Sequence, residues 1–499
     1  MALNSPQLPY SLTTHDVLSL SILLTISYLF VRYLSRYSKQ KHYPPGPPQH
    51  WLLGNLRDMP TTVNWEKLAK YRQEYGELTY MRAFGNGILL LNTIEAVNDL
   101  FDRRARIYSN RPRTILAGEI AGLKKAMPFV EYNDRYKLMR KMTNGALNRR
   151  TVESYQESQH DILRLFLNGI FYEPSELQEH SRRNVIRHVL RFVYGLGGEM
   201  YASDVKAFLL RIAVVSLPGA YIVDFLPWLR YLPSWLPFTE FQVLGKKCHD
   251  EVLAFINRPF NYVKKQLDNS SATECMVADL LKNLPALATK GTFFPEKVED
   301  VLKWTAGSML AAGQETTDAA TMSFFVAMAL HPDVQAQAQA EIDELASGAE
   351  LISIHDMDRL PYVQAMVKEV LRWRISVPQA EFLCIIIGYL IPSGTVIFPN
   401  VWAISRSVDK PEEFLPERFL TIDPPLDPSD YIFGFGRRVC PGKYFAESFI
   451  PIIMANILLY YNIREPSTLS DGLVGPRDVK YTTSLVRYGH RCFDASLGG

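Results

Sequence analysis

The stretch Phe433-Gly434-Phe435-Gly436-Arg437-Arg438-Val439-Cys440-Pro441-Gly442 gathers residue types that belong to one kind of chemistry. Cys440 is followed by a helix-like run, Lys443-Tyr444-Phe445-Ala446-Glu447-Ser448-Phe449. Its sulfur therefore sits where the free N–H groups and dipole of a helix N-terminus favour a thiolate. Gly436 and Gly442 let backbone approach something flat, and Arg438 offers a planar fork to a carboxylate. Thiolate, close backbone and carboxylate clamp together suit a haem whose iron is held axially by cysteine. A structural loop cysteine is the plainer reading of any single Cys. The six spaced positions Phe433, Gly436, Arg438, Cys440, Pro441 and Gly442 outweigh it.

A second chemical stretch is Ala311-Ala312-Gly313-Gln314-Glu315-Thr316-Thr317, inside a helix predicted over 303–330 and stopped by His331-Pro332. Two alanines and a glycine leave room for a flat ligand. An acid followed by two hydroxyls supplies proton donors, and a threonine can bond back to the helix carbonyls. Elsewhere, Tyr136 and Arg140 lie four apart on a basic helix predicted over 132–148, and Glu369 and Arg372 are spaced to pair on another helix. A solvated helix face is the ordinary reading of each of these alone.

The first stretch resembles the haem-ligand loop of the cytochrome P-450 family, Phe-x-x-Gly-x-Arg-x-Cys-x-Gly, and the second is similar to its Ala-Gly-x-Asp/Glu-Thr-Thr oxygen-activating motif. The resemblance runs from the prolines near residue 44 almost to the C-terminus. Tyr221-Ile222-Val223-Asp224-Phe225-Leu226-Pro227-Trp228 is similar to fungal secondary-metabolism members in particular. The resemblance implies a mainly α fold with small β sheets, forming one large catalytic domain over 51–499. It implies haem b held by Cys440, with Phe433, Gly436, Gly442, Ala312 and Gly313 around it and Arg438 and Arg140 at its propionates. Thr316 would hydrogen-bond dioxygen and Glu315 would relay protons. Where the family has a Trp this chain has Tyr136, whose hydroxyl could still donate. Glu369, Arg372 and Arg418 would form a buried, structural charge network.

Two segments depart from the family pattern. Residues 375–387 are shorter than usual and carry no basic residue between Arg374 and Arg406; the turn 407–410 also arrives early. The first departure removes a propionate-binding residue and part of a substrate-facing wall.

Positions 17–31 carry no charge and are rich in Leu, Ile and Val, approaching the roughly 17–25 residues that span a bilayer. Arg32, Arg36, Lys39 and Lys41 follow the span and no Lys or Arg precedes it. A luminal N-terminus and transmembrane anchor over 1–35, a proline-rich hinge over 36–50 and a cytosolic body at the endoplasmic reticulum membrane are the expectation. The aromatic run 225–241 reads either as a membrane-dipping loop or as a buried connection. Five widely spaced cysteines, with no C-x-x-C pair, exclude a disulfide framework and a zinc site and fit a reducing compartment. A net charge of +2 gives no reason to expect nucleic acid.

The expected function is insertion of one oxygen atom from dioxygen into an apolar organic molecule: a terpenoid, polyketide, aromatic or xenobiotic. No Gly-rich dinucleotide fingerprint is present. Electrons are therefore expected from NADPH through a partner flavoprotein reductase, for which Lys137, Lys141, Arg437 and Lys443 could form a docking face. The alternatives are a haem-thiolate isomerase or peroxide-driven enzyme, which would not need the acid–alcohol pair, and a haem-binding relative that lost catalysis through the shortened segments.

Overall fold

The computed structural model describes residues 43–465 apart from 51–53, 56–57, 59–64, 84–85, 198–200, 217–220, 237–238, 285–294, 347–349, 378–381, 385–390 and 393, together with 21, 23, 27–28 and 496–498. The candidate span 17–31 lies almost wholly outside the described residues. Among the described residues no helix is long and apolar enough to cross a membrane.

The helices that position the site are α1 (Asp134–Ala146), α2 (Gln156–Tyr172), α3 (Leu177–Tyr194), α4 (Glu240–Asp268), α5 (Pro295–Leu330), α6 (Pro332–Leu345), α7 (Pro361–Trp373) and α8 (Lys443–Tyr460). α5 starts eight residues before the predicted boundary. It is apolar for most of its length because other helices surround it, so its sequence carries little amphipathic signal. Its C-terminal half, with Phe324, Phe325 and Met328, packs with Ala338 and Ile342 of α6, Val363, Met366 and Val370 of α7, and Ile453 and Ile457 of α8. Its N-terminal half, with Val301 and Leu310, packs with α1, α3 and α4. Burying each such side chain stabilises the fold by about 1.5–3 kcal/mol.

α1 begins where Asn133 caps the Tyr136 N–H at 3.1 Å, and it turns Tyr136, Met139, Met142 and Ala146 inward. Ahead of it, an α turn over Ile94–Asn98 is followed by a π turn over Asp99–Arg103. The wider turn suits its surroundings. Phe101 stacks on Phe435, with centroids 6.4 Å apart, and Asp102 accepts the Gly436 N–H at 3.0 Å.

The main sheet has the order β1-β2-β4-β3. β1 (Leu78–Ala83) and β2 (Asn86–Leu91) form an antiparallel hairpin. β4 (Thr395–Pro399) joins β2 in parallel, with Ile88 opposite Val396. β3 (Phe382–Cys384) pairs antiparallel with β4, so the shortened segment still supplies an edge strand. A small second sheet pairs β5 (Asn462–Arg464) with β6 (Ser496–Gly498). The proline hinge lies against β1: the Pro45 carbonyl accepts the Tyr80 N–H at 2.8 Å, and Asn55 donates to the Pro47 carbonyl at 3.0 Å.

Candidate active site

The cysteine loop is a series of tight turns ending at α8. Gly434 and Gly436 take positive φ angles of 74° and 58°, which a side chain would strain. A Cβ on Gly436 would also lie 2.1 Å from the Phe101 carbonyl oxygen. The close approach at Gly436 is therefore made by protein backbone from the π turn, which corrects the expectation that this glycine clears a flat ligand. Gly442, by contrast, meets only the Cys440 sulfur, at an ordinary 3.7 Å from an added Cβ. The Cys440 N–H donates to the Phe433 carbonyl at 2.7 Å, closing the loop behind the sulfur. The thiol is accessible to solvent and at the same time densely surrounded by protein, as expected of a group facing an interior cleft. Burial pushes the thiol up, while the Gly442 N–H and the charge of Arg140 pull it down.

α1 ties this loop to the rest of the molecule. Arg140 donates to the Val439 carbonyl at 2.7 Å, and the Tyr136 hydroxyl donates to the Arg437 carbonyl at 2.9 Å. The Tyr136 proton is thus engaged by backbone, and its expected donation to a propionate is not the arrangement seen. Arg438 is buried and donates to the carbonyls of Ser109 at 2.8 Å and Val130 at 2.7 Å. No carboxylate pairs with it among the described residues. Burial first, and then the charge of Arg111, lowers Arg438 to about 10. A buried cation held only by neutral groups is costly, so this position fits an anionic group supplied by something other than the chain. Arg111 is the residue sequence reasoning missed. It sits in a loop with its Nε on the Pro128 carbonyl at 2.9 Å, and no motif marks it.

On α5, Ala312 is exposed although Leu310, Gln314 and Thr317 around it are buried. Thr316, one turn later, shares that face and donates to the Ala312 carbonyl at 3.0 Å. Gly313 is not on this face. A Cβ there would press to 3.2 Å from Val189 of α3, so Gly313 serves helix–helix contact instead of the expected ligand contact. Glu315 also turns toward α3. Burial first, and Asp318 second, push its carboxyl up to about 7, against the opposing charge of Arg182.

The structure brings Glu369, Arg372 and Arg418 together. Arg372 grips Glu369 with two hydrogen bonds, of 2.7 and 2.8 Å, and both side chains are fully buried. Arg418 adds a 3.2 Å contact to the same carboxylate. The early turn at 407–410 is used here: the Asp409 carbonyl accepts from Arg418 at 2.7 Å.

Fold and cysteine loop together define a haem-thiolate protein. The description Cytochrome P450 belongs to the family model that matches residues 44–472, and the chain belongs to that family. It is 31% identical to cytochrome P450 monooxygenase 208 of Postia placenta, across 95% of this chain and 93% of that one. It is 32% identical to cytochrome P450 monooxygenase claR of Ampulloclitocybe clavipes, across 87% and 82% of the two chains. A zebra fish cytochrome P450 solved with abiraterone shares the fold, with a TM-score of 0.67 at 21% identity, covering 87% of this chain and all of that one. The chain is therefore an oxygen-incorporating oxidoreductase of a family that carries haem b. The buried Arg438, the solvent-reached Cys440 and the exposed Ala312 fit that group.

Proposed function

We propose that this chain is a membrane-anchored monooxygenase that inserts one oxygen atom from dioxygen into an apolar organic substrate, with NADPH-derived electrons arriving through a flavoprotein reductase. Haem bound at Cys440 supplies the dioxygen chemistry, in which two electrons and two protons accompany each turnover and the second oxygen atom leaves as water. Cys440 would hold the group, and Arg438 and Arg140 would meet its carboxylates. Thr316 presents a hydroxyl beside the exposed Ala312, and the Glu315 carboxyl, pushed up to about 7, holds a transferable proton near neutrality. The observation that carries the reading is Arg438, buried with no carboxylate partner among the described residues, beside an accessible Cys440.

The exposed Trp228, Tyr231 and Trp235 support contact with a lipid surface, since indole and phenol rings favour the interface between water and lipid. Lys137 and Arg437 flank Tyr132 on the surface outside the cysteine loop, and Lys141 is exposed on the same helix, which supports a reductase face there. The fungal relatives named as monooxygenases support a secondary metabolite as substrate.

The test is Cys440→Ala. The carbon-monoxide spectrum of the reduced parent is expected to be of the thiolate type, and the variant loses it together with NADPH-dependent turnover. A thiolate-type spectrum in Cys440→Ala would overturn the assignment. Fractionation of full-length protein and of a chain lacking 1–35 checks the anchor: full-length protein recovered without detergent sinks it.

A further inference from the structure

α5 presents two separate faces one turn before its Thr316. Ser308 and Ala312, four apart, lie on the side of the cysteine loop. The Ser308 hydroxyl oxygen accepts the Met127 N–H at 3.0 Å, and the Met127 carbonyl accepts from Arg438 at 3.4 Å. Gly307 and Leu310 lie on another side. A Cβ on Gly307 would stand 2.9 Å from Ile256 of α4, and Leu310 follows on the same face. Leu310 and Ala312 are about 200° apart around the helix, so what Leu310 touches is hidden from Cys440. Leu310 floors a cavity of about 210 Å³ between α4 and the helix Ala202–Val215. Val205 and Phe208 wall it on one side, Phe255 and Pro259 on the other, and the rings of Phe208 and Phe255 stack with centroids 3.9 Å apart. The volume exceeds the roughly 150 Å³ that takes up benzene and falls short of the roughly 300 Å³ at which drug-sized sites begin, so one or two rings fit.

We propose that this cavity is a second ligand site, separate from the cleft at Cys440, for a small neutral ring compound carrying one hydroxyl. The polar groups on its wall select that class. Arg211 and Glu251 line it as a partly exposed ion pair, 2.7 Å from Nε to Oε2 and neutral as a whole. A carboxylate placed there is repelled by Glu251 and an ammonium by Arg211, which offsets the attraction of the other partner. A hydroxyl both donates and accepts, so it suits the carboxylate and the guanidinium together. Pro259 adds a further acceptor. It has no N–H, so the Phe255 carbonyl one turn earlier lacks its usual helical donor. A ring without the hydroxyl would cover these groups and satisfy none of them. Arg258 also lines the cavity, but at its exposed rim, where water and salt screen the charge.

The experiment uses the holoenzyme saturated with 1-phenylimidazole, which occupies the haem cleft, and titrates it with 2-naphthol by calorimetry. One 2-naphthol is expected to bind per chain, with naphthalene and 2-naphthoate each about 10-fold weaker, the worth of one good hydrogen bond. Ala254→Trp, which fills the cavity from α4, is expected to abolish binding of all three. Glu251→Leu is expected to bring 2-naphthol down to the level of naphthalene. Haem content and the carbon-monoxide spectrum of both variants, taken without the imidazole, stay as in the parent. Absence of 2-naphthol binding, or equal affinity in parent and Ala254→Trp, overturns the site. Naphthalene or 2-naphthoate binding as tightly as 2-naphthol overturns the class of ligand. Should Ala254→Trp fail to fold, crystals of the parent soaked with 6-bromo-2-naphthol decide: anomalous bromine density beside Leu310 is expected, and its absence there overturns the proposal.

Discussion

The guanidinium of Arg438 sits over the Tyr136 ring, 3.8 Å from its centroid, while the Tyr136 hydroxyl reaches the Arg437 carbonyl at 2.9 Å. One aromatic side chain thus steadies both the cation of the loop and the backbone beside it. The two functions separate on mutation. Tyr136→Phe keeps the ring and is expected to cost about 1 kcal/mol in chemical unfolding, the usual net worth of one hydrogen bond, with haem retention unchanged. Arg438→Ala is expected to lower haem occupancy several-fold on purification. Equal haem content in Arg438→Ala and parent would remove the residue from the cofactor site.

Glu369→Gln strands Arg372 and Arg418 without a counter-charge in a fully buried place. The expected loss is about 3–5 kcal/mol, enough to abolish accumulation of folded protein. Expression yield and a denaturant titration measure it. A loss under 1 kcal/mol would mean the surrounding carbonyls already hold the arginines.

Thr316 contributes one hydrogen bond within its own helix turn, at 3.0 Å to Ala312. Thr316→Ala should leave stability within about 1 kcal/mol of the parent, since alanine favours helix. Product formed per NADPH should fall, with peroxide rising in its place. Unaltered coupling would exclude the hydroxyl from the reaction.

Glu315 gives a pH signature with a definite sign. Its folded-state pKa is raised to about 7 from 4.5, so the native state holds the proton more tightly than the unfolded chain does. Stability is therefore lost as pH rises between those values, by roughly 3 kcal/mol if this one group acts alone. Proton delivery weakens over the upper part of the same range. Unfolding titrations of parent and Glu315→Gln at pH 5 and 8 test this: the drop should be smaller in the variant.

The cysteine loop was legible in sequence because its signals are local: turn glycines, the Cys-Pro-Gly step and the helix start lie within ten residues. The same locality misled the reading of Gly436 and Gly313. A glycine announces that something comes close, but the carbonyl of Phe101 and the side chain of Val189 are supplied by distant chain. The α3 face was illegible for a related reason. Ser181, Asn184 and His188 look like the polar side of a surface helix until α5 is laid against them. Arg111 shows the limit again, since a single basic loop residue gains meaning only from the cation it lies near.

The parallel pairing of β2 with β4 also governs how the chain reaches its native state. Ile88 waits for Val396, which is made 308 residues later. At about 5–20 residues per second that is roughly 15–60 s during which the apolar Ile88-Leu89-Leu90-Leu91 edge has no partner. The hairpin spends that interval as an open template for wrong strands, so newly made chain is most vulnerable to aggregation well before any cofactor can be loaded.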